Sequence, residues 1–142
     1  MKKIWIITLS LVIIVGIGVT VGYIMFNKKP ANLADKKPDI VIDAPSLVID
    51  YSQNMGVADS TFLNKIIEVS GIVEQSSKSQ EGTVTILLTG VQGSGVSCNI
   101  PVKEGVKIVE PKVGDSIVVR GQCTGFLMDV VLSNASLVEK KK

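Results

Sequence analysis

The sequence predicts an all-β domain, a five-stranded barrel with a short preceding α-helix, attached to one N-terminal transmembrane helix. Two features of the 142-residue chain support this prediction. The residues from Ile4 to Phe26 form one uncharged and mostly apolar run. The second half of the chain contains short β-branched segments separated by turns that contain glycine, and this pattern is typical of a small barrel or sandwich.

The apolar run is long enough to cross a bilayer. As a helix, the stretch from Ile4 to Phe26 would be about 34 Å long, and the hydrocarbon core of a bilayer is about 30 Å thick. A cleaved signal peptide would have a shorter apolar region and a cleavage site made of small residues, but the run ends in Met25-Phe26-Asn27-Lys28. We therefore expect an uncleaved signal anchor.

Lysines on both sides of this helix leave its orientation open on charge alone. Lys2 and Lys3 precede the apolar run, and Lys28 and Lys29 follow it, so the positive-inside rule does not decide. A pair of lysines ahead of a long apolar run is typical of a signal anchor whose N-terminus stays inside. We expect a single-pass protein whose C-terminal domain lies outside the cytoplasm.

The expected domain organisation has four parts. A leading helix is predicted from Ala44 to Asn54, because a proline near the first helical position is favoured, and Gly56 is expected to close it. The preceding stretch contains Lys, Asp, Asn and Pro, which is typical of an extended segment. The four parts are residues 1–27 (N-terminal lysines and anchor), 28–43 (extended tether), 44–138 (barrel with its leading helix) and 139–142 (basic tail).

Five strands with a connection of one helical turn between the third and the fourth give the order of an OB-fold, a partly open five-stranded Greek-key barrel. Gly71 and Gly121 lie within the first and fourth strands, where a small barrel needs strong coiling. Gly114-Asp115 predicts a tight turn, and Gly125 a bend. The strands are expected at 66–73, 83–88, 96–100, 117–123 and 128–138, and the connection at 103–111.

A further likeness rests on sequence motifs. The stretch Gly121-Gln122-Cys123-Thr124-Gly125-Phe126, continued by Asp129-Val130-Val131-Leu132, resembles the tRNA-anti-like OB-fold family. The resemblance covers about 44–138 and implies a small bacterial protein, exported or membrane-anchored. With the signal anchor, we expect a protein of the inner (cytoplasmic) membrane whose C-terminal domain is periplasmic or extracytoplasmic. It supplies no catalytic residues and does not imply tRNA binding. Members commonly have a cysteine near position 135, where this chain has Ala135.

Cys98 and Cys123 are expected on the interior face of their strands, because both follow the period-two pattern of apolar neighbours. Two alternatives are open: a disulfide that closes a loop of about 25 residues and adds about 2–4 kcal/mol, or two buried thiols. A metal is not expected, because two cysteines in a chain without histidine do not complete a ligand set. No cofactor is expected either.

The acidic residues of the predicted strands and turns have structural explanations. Asp115 follows Gly114 before a strand, and we expect turn chemistry there. Asp129 lies beside the Gly125 bend and is expected to accept backbone hydrogen bonds. Glu68 alternates with apolar neighbours and is expected to be a solvated strand position.

Composition argues against catalysis and nucleic-acid binding. The chain has no histidine, the commonest acid–base group near neutral pH. From 31 to 138 it has eight Lys/Arg and twelve Asp/Glu, a formal charge of 8 − 12 = −4, whereas phosphate binding needs a basic surface. We expect a membrane-anchored, non-catalytic binding module, an accessory subunit with a protein partner in the cell envelope. The alternative is that the OB face binds single-stranded nucleic acid or an oligosaccharide.

Overall fold

The computed structural model describes residues 1–26, 33–102 and 108–141. The chain divides into two units, Met1–Pro30 and Ala31–Lys142. The first unit contains helix α1, Lys2–Phe26. Its part from Ile6 to Phe26 is the one helix of the described chain that is long and apolar enough to span a membrane, and none of its side chains is buried.

The second unit is a β-barrel with two helices. Its described elements are a 3₁₀ helix (Leu33–Asp35), β1 (Ile40–Asp43), α2 (Ala44–Gln53), α3 (Met55–Phe62), β2 (Ile66–Lys78), β3 (Thr83–Val91), β4 (Ser94–Pro101), β5 (Ser116–Phe126) and β6 (Val130–Lys141). In these residues the strand order is β1-β2-β3-β4-β6-β5, and β2 also pairs with β5, which closes the barrel.

The long strand β2 pairs with two other barrel strands, as the predicted fold requires. Its first half pairs antiparallel with β5, and its second half pairs antiparallel with β3. β6 pairs in parallel with β4 and antiparallel with β5. The five predicted strands and the OB-fold are thereby confirmed, and β1 is an addition that pairs in parallel with β2.

Alternation of side chains along each strand builds the core. Along much of the barrel strands every second residue is buried, and one helix face closes the interior with Leu47, Val48 and Tyr51. Burying one large aliphatic side chain contributes about 1.5–3 kcal/mol. The buried apolar residues of the strands are Ile67, Val69, Val73, Val84, Ile86, Leu88, Val96, Cys98, Ile100, Ile117, Val119, Cys123, Val130, Leu132 and Ala135.

Gly71 and Gly121 are places of close approach. A Cβ atom on Gly71 would lie 3.1 Å from the Cβ of Ala44 and 3.2 Å from that of Leu88. On Gly121 it would lie 3.1 Å from the Cβ of Leu132 and 3.2 Å from that of Ala135. These glycines therefore let α2 and β6 pack tightly against the strands that carry them.

The leading helix differs from the prediction. α2 ends at Gln53, and a second helix, α3, follows where the sequence suggested only a lead into the barrel. Asn54 lies between them in an extended conformation, and its Oδ1 accepts a hydrogen bond of 3.2 Å from the Val57 amide. This is an N-cap, which starts a new helix, so Gly56 lies inside α3 and does not end a helix.

Part of the predicted tether packs on the barrel. Leu33 is buried, and β1 pairs with β2. The amide of Asp39 donates to the carbonyl of Ile66 at 2.7 Å, and the Asp39 carboxylate accepts from the Ile66 amide at 2.9 Å. The extended segment in the described chain is therefore shorter than 28–43, and residues 27–32 lie outside the described residues.

The predicted boundary between the barrel and the basic tail also differs from the structure. β6 continues to Lys141, into the predicted basic tail. Of the predicted connection at 103–111, residues 103–107 lie outside the described residues.

Candidate functional site

The Gly114-Asp115 motif forms the turn before β5. Gly114 has a φ of +90°, and its amide donates to the carbonyl of Val73 at 2.8 Å. The carboxylate of Asp115 accepts a hydrogen bond of 2.7 Å from the Lys112 amide. Both residues thus fix a turn against β2, in agreement with the role expected for them.

Asp129 connects two hairpins. Its Oδ1 accepts a hydrogen bond of 2.7 Å from the Gly95 amide, at the start of β4. Gly125, four residues earlier, has a φ of +118°, and the β5–β6 register shifts between Cys123 and Gly125. The bend at Gly125 and the Asp129 carboxylate together set the course of the β5–β6 loop beside the β3–β4 hairpin.

The two cysteines are buried free thiols. Cys98 pairs with Leu132 in the β4–β6 register, and Leu132 pairs with Cys123 in the β5–β6 register. The cysteines are therefore two strands apart, about 9–10 Å at a strand spacing of about 4.8 Å. A disulfide needs Cα atoms within about 7 Å. This geometry excludes the disulfide alternative, and burial raises the pKa of the Cys98 thiol to about 12.

Tyr51 joins Cys123 to an interior aromatic cluster. Its hydroxyl lies 3.4 Å from the Cys123 Sγ, and its ring stacks on Phe126 with a centroid separation of 5.7 Å. Phe62 lies on another side at 6.0 Å. Burial, followed by the hydrogen bond with Cys123, raises the pKa of Tyr51 well above its usual range. These three aromatic residues are thus part of the packing.

The outward side of β2, β3 and β4 presents a small polar surface, which we name the open face. Its members are Gln75, Ser77, Thr85, Leu87, Ser97 and Asn99. Those on β3 and β4 alternate with buried residues, and the register shift in β2 between Val73 and Gln75 places Gln75 and Ser77 opposite Leu87 and Thr85. A shallow groove of about 170 Å³ is lined by five of them and Asp129. Thr85 Oγ1 donates to Asn99 Oδ1 at 3.0 Å. Among the described residues that line the groove, none is aromatic or basic.

Two apolar side chains project from the loop next to this groove. Leu127 and Met128 are 85% and 82% exposed, and they directly precede Asp129. Large apolar side chains that protrude together beside a polar surface often mark an interaction site. The sequence pattern predicted that Met128 starts the fifth strand, but β6 begins at Val130. The sequence feature that could have indicated this site is the pair of consecutive large apolar residues after the Gly125 bend. We name this pair the apolar tip.

A larger groove, of about 370 Å³, lies over the outer side of β2 and β5. Ile72 and Val118 give it an apolar floor, and Asp43 supplies a carboxylate. That carboxylate caps α2, because it accepts hydrogen bonds from the Ser46 amide at 3.1 Å and the Ser46 hydroxyl at 2.8 Å. These bonds lower the pKa of Asp43. The groove could therefore hold a small molecule, but its carboxylate, Asp43, is engaged in capping α2.

Glu68 is not the solvated strand position that the sequence suggested. It forms an ion pair with Arg120, its partner across the β2–β5 register, and the two side chains are 20% and 13% exposed. Arg120 Nε donates to Glu68 at 3.0 Å, and Arg120 Nη1 donates to the carbonyls of Ala34 at 2.5 Å and Lys36 at 2.6 Å. We name this arrangement the Arg120 clasp. It holds the segment before β1 on the barrel.

The described residues contain no group of three or more His, Cys, Asp or Glu side chains that could hold a metal ion. Within the same residues, the carboxylates of Asp43, Asp115 and Asp129 each accept hydrogen bonds from backbone amides. What the open face and the apolar tip offer to a ligand is apolar contact area and uncharged hydrogen-bonding groups.

Comparison with known proteins gives one family. A sequence model of the family described as tRNA_anti-like matches residues 1–137. No curated protein sequence matches. Among solved structures, Entamoeba histolytica asparaginyl-tRNA synthetase in complex with asparaginyl-adenylate is similar with 10% identity and a TM-score of 0.46. The match covers 75% of this chain and 25% of the synthetase chain.

Proposed function

Because this chain belongs to the tRNA_anti-like family, we propose that it is a membrane-anchored, non-catalytic binding module that engages a protein partner in the bacterial cell envelope. The open face and the apolar tip form the contact surface, and the chain acts as an accessory subunit of a larger complex. Helix α1 is the anchor, with its N-terminus inside and the barrel outside.

The exposure of Leu127 and Met128 carries this proposal. Burying each of these side chains against a partner would contribute about 1.5–3 kcal/mol, which is the scale of an interface hot spot. Apolar anchors surrounded by polar, hydrogen-bonding groups are the usual anatomy of a protein interface. The apolar tip beside the open face has this arrangement.

Charge and side-chain type favour a protein over a nucleic acid. Single-strand binding depends on a basic groove and on aromatic side chains that stack with bases. The groove of the open face has neither among its described lining residues, and Tyr51, Phe62 and Phe126 pack together around the core. An oligosaccharide is the second candidate, because Gln75, Ser77 and Asn99 offer uncharged hydrogen-bonding groups.

The absence of histidine from the sequence supports a non-catalytic role. The described carboxylates of Asp43 and Asp129, near the grooves, accept backbone hydrogen bonds, which gives each of them a structural role. The two thiols are buried, and the raised pKa of Cys98 keeps that thiol protonated and unreactive at neutral pH.

In-cell photocrosslinking tests the proposal. A photoreactive residue replaces Leu127 or Met128 in the full chain, and Ser52, exposed on α2, serves as the control position. We expect one defined protein to be captured from 127 and 128 but not from 52. The pair of substitutions L127N and M128N should reduce co-purification of that protein at least tenfold.

Other results would count against a protein partner. Capture of the same mixture from all three positions would contradict the proposed surface. Loss of a bound glycan, with no change in captured proteins, would favour the oligosaccharide alternative.

A further inference from the structure

Lys36 and Lys37 form an exposed dibasic pair in the segment before β1. Both side chains are exposed, and they directly follow the 3₁₀ helix Leu33–Asp35. Proteases specific for basic residues hydrolyse the bond that follows a lysine, but they do not cut ahead of proline. Since Lys37 is followed by Pro38, the susceptible bond is the one between Lys36 and Lys37.

The carbonyl of that bond is already bound. Arg120 Nη1 donates to the Lys36 carbonyl at 2.6 Å and to the Ala34 carbonyl at 2.5 Å. The Lys36 amide donates to the carbonyl of Leu33 at 3.2 Å, which forms a turn. A serine protease needs an extended substrate and must place the scissile carbonyl oxygen in its own oxyanion hole. The turn and the Arg120 clasp therefore have to open before cleavage.

Glu68 fixes the clasp from the other side. It accepts hydrogen bonds from Arg120 Nε at 3.0 Å and from Nη2. Both side chains are mostly buried, so the guanidinium is held in place for the two backbone carbonyls. Protection against proteolysis follows the free energy of such local opening.

We propose that the Lys36–Lys37 bond is a proteolytic release site, cut by a serine protease specific for basic residues and kept closed by the Arg120 clasp. Water hydrolyses the amide: hydroxide joins the Lys36 carbonyl carbon, the C–N bond breaks, and the Lys37 nitrogen takes the proton. The product keeps β1, which begins at Ile40. Its release from the membrane rests on the proposed anchor.

Limited trypsin digestion of the full chain in detergent micelles tests the site. Intact-mass measurement follows the initial rate at which the product starting at Lys37 appears. Cleavage between Lys28 and Lys29, the nearest other dibasic pair, gives a product eight residues longer, so the two are separated by mass. We expect R120Q to raise the rate at Lys36 at least tenfold over the wild type, and K36Q to abolish this product in the R120Q background.

Two further variants control for general destabilisation. E68Q keeps the guanidinium but removes the charge that holds it, and it should also raise the rate several-fold. Q122A changes the next outward position on β5 and should stay within twofold of the wild type. If trypsin cuts R120Q throughout the barrel, that variant is destabilised as a whole. The rate at Lys36 in E68Q, compared with the wild-type rate, then tests the clasp. Equal rates for the wild type and the clasp variants, or no product at Lys37 from any of them, would overturn the proposal.

Membranes that contain the full chain separate this proposal from the proposed function. After trypsin, the product starting at Lys37 should appear in the supernatant when the membranes are sedimented. A full chain found in the supernatant before digestion would refute the anchor, whereas the cleavage rates in detergent would still judge the clasp.

Discussion

The strand register determines the chemical state of the two buried cysteines. Cys98 and Cys123 each pair with Leu132 in the strand register, which keeps the two sulfurs on different strands with a third strand between them. Periodicity predicted that both face the interior, and this prediction agrees with their burial. The distance between them depended on strand order, which a single sequence does not contain.

The buried Cys98 thiol makes stability depend on alkaline pH. Its pKa rises from 9.0 to about 12 on burial, so above about pH 9 the unfolded state holds fewer protons than the folded state. The free energy of unfolding should therefore be level below pH 9 and decline from pH 9 towards 12. Urea unfolding of the full chain in detergent, followed by near-ultraviolet circular dichroism of the Tyr51 cluster, measures this decline.

The variant Cys98→Ala identifies the group responsible. Below pH 9 it should be less stable than the wild type, because it leaves a small cavity, but its stability should change less between pH 9 and 10. Above pH 10 the raised pKa of Tyr51 adds a second decline in both proteins. Parallel curves for the two proteins between pH 9 and 10 would show that Cys98 is not the source.

At the scale of elements, regular alternation was predictable and interruptions were not. The five barrel strands follow from period-two patterns, and their order along the chain predicted the OB-fold. β1 was missed because its four residues follow a segment of Lys, Asp and Pro that reads as extended chain. α3 was missed because Gly56 looked like a helix end, whereas Asn54 caps a new helix. The Arg120–Glu68 pair joins residues 52 positions apart, and no local pattern reports it.

Helix α2 packs closely on β2 at Gly71. Gly71→Ala would place a methyl group 3.1 Å from the Cβ of Ala44 and 3.2 Å from that of Leu88. Overpacking of this kind costs about 1–3 kcal/mol, and urea unfolding should show that loss. Gly56→Ala is the matched control, because its nearest neighbour would be 3.6 Å away and alanine favours a helix by about 0.5–1 kcal/mol. Equal effects of the two substitutions would contradict this account.

The whole molecule combines an apolar helix with an acidic barrel of the tRNA_anti-like family. The resemblance noted in the sequence is confirmed, and the family match extends over residues 1–137. The candidate site was less predictable than the fold. The apolar tip is recognised as a contact surface only because it lies beside the groove of the open face, and that groove is formed by residues from different strands. Hairpin neighbours in space, such as Asp129 and Gly95, are 34 positions apart in the sequence.

The proposed orientation predicts where an introduced thiol can be labelled. Ser79→Cys lies in the exposed β2–β3 loop and should react with a membrane-impermeant maleimide in intact cells. The wild type provides a low background, since both of its cysteines are buried. A cysteine at position 2 should react only after the cells are permeabilised. The opposite pattern at the two positions would invert the topology.

The position of β6 between β4 and β5 has a consequence for how the protein is made. β6 follows every other described strand along the chain, yet the sheet order places it between two strands that precede it. Until it arrives, the facing edges of β4 and β5 have no strand to pair with, and the barrel stays open. A chain emerging from the ribosome thus remains unclosed until its last strand is synthesised. In the proposed orientation, with the barrel outside, this late closure would keep the barrel open while the chain crosses the membrane.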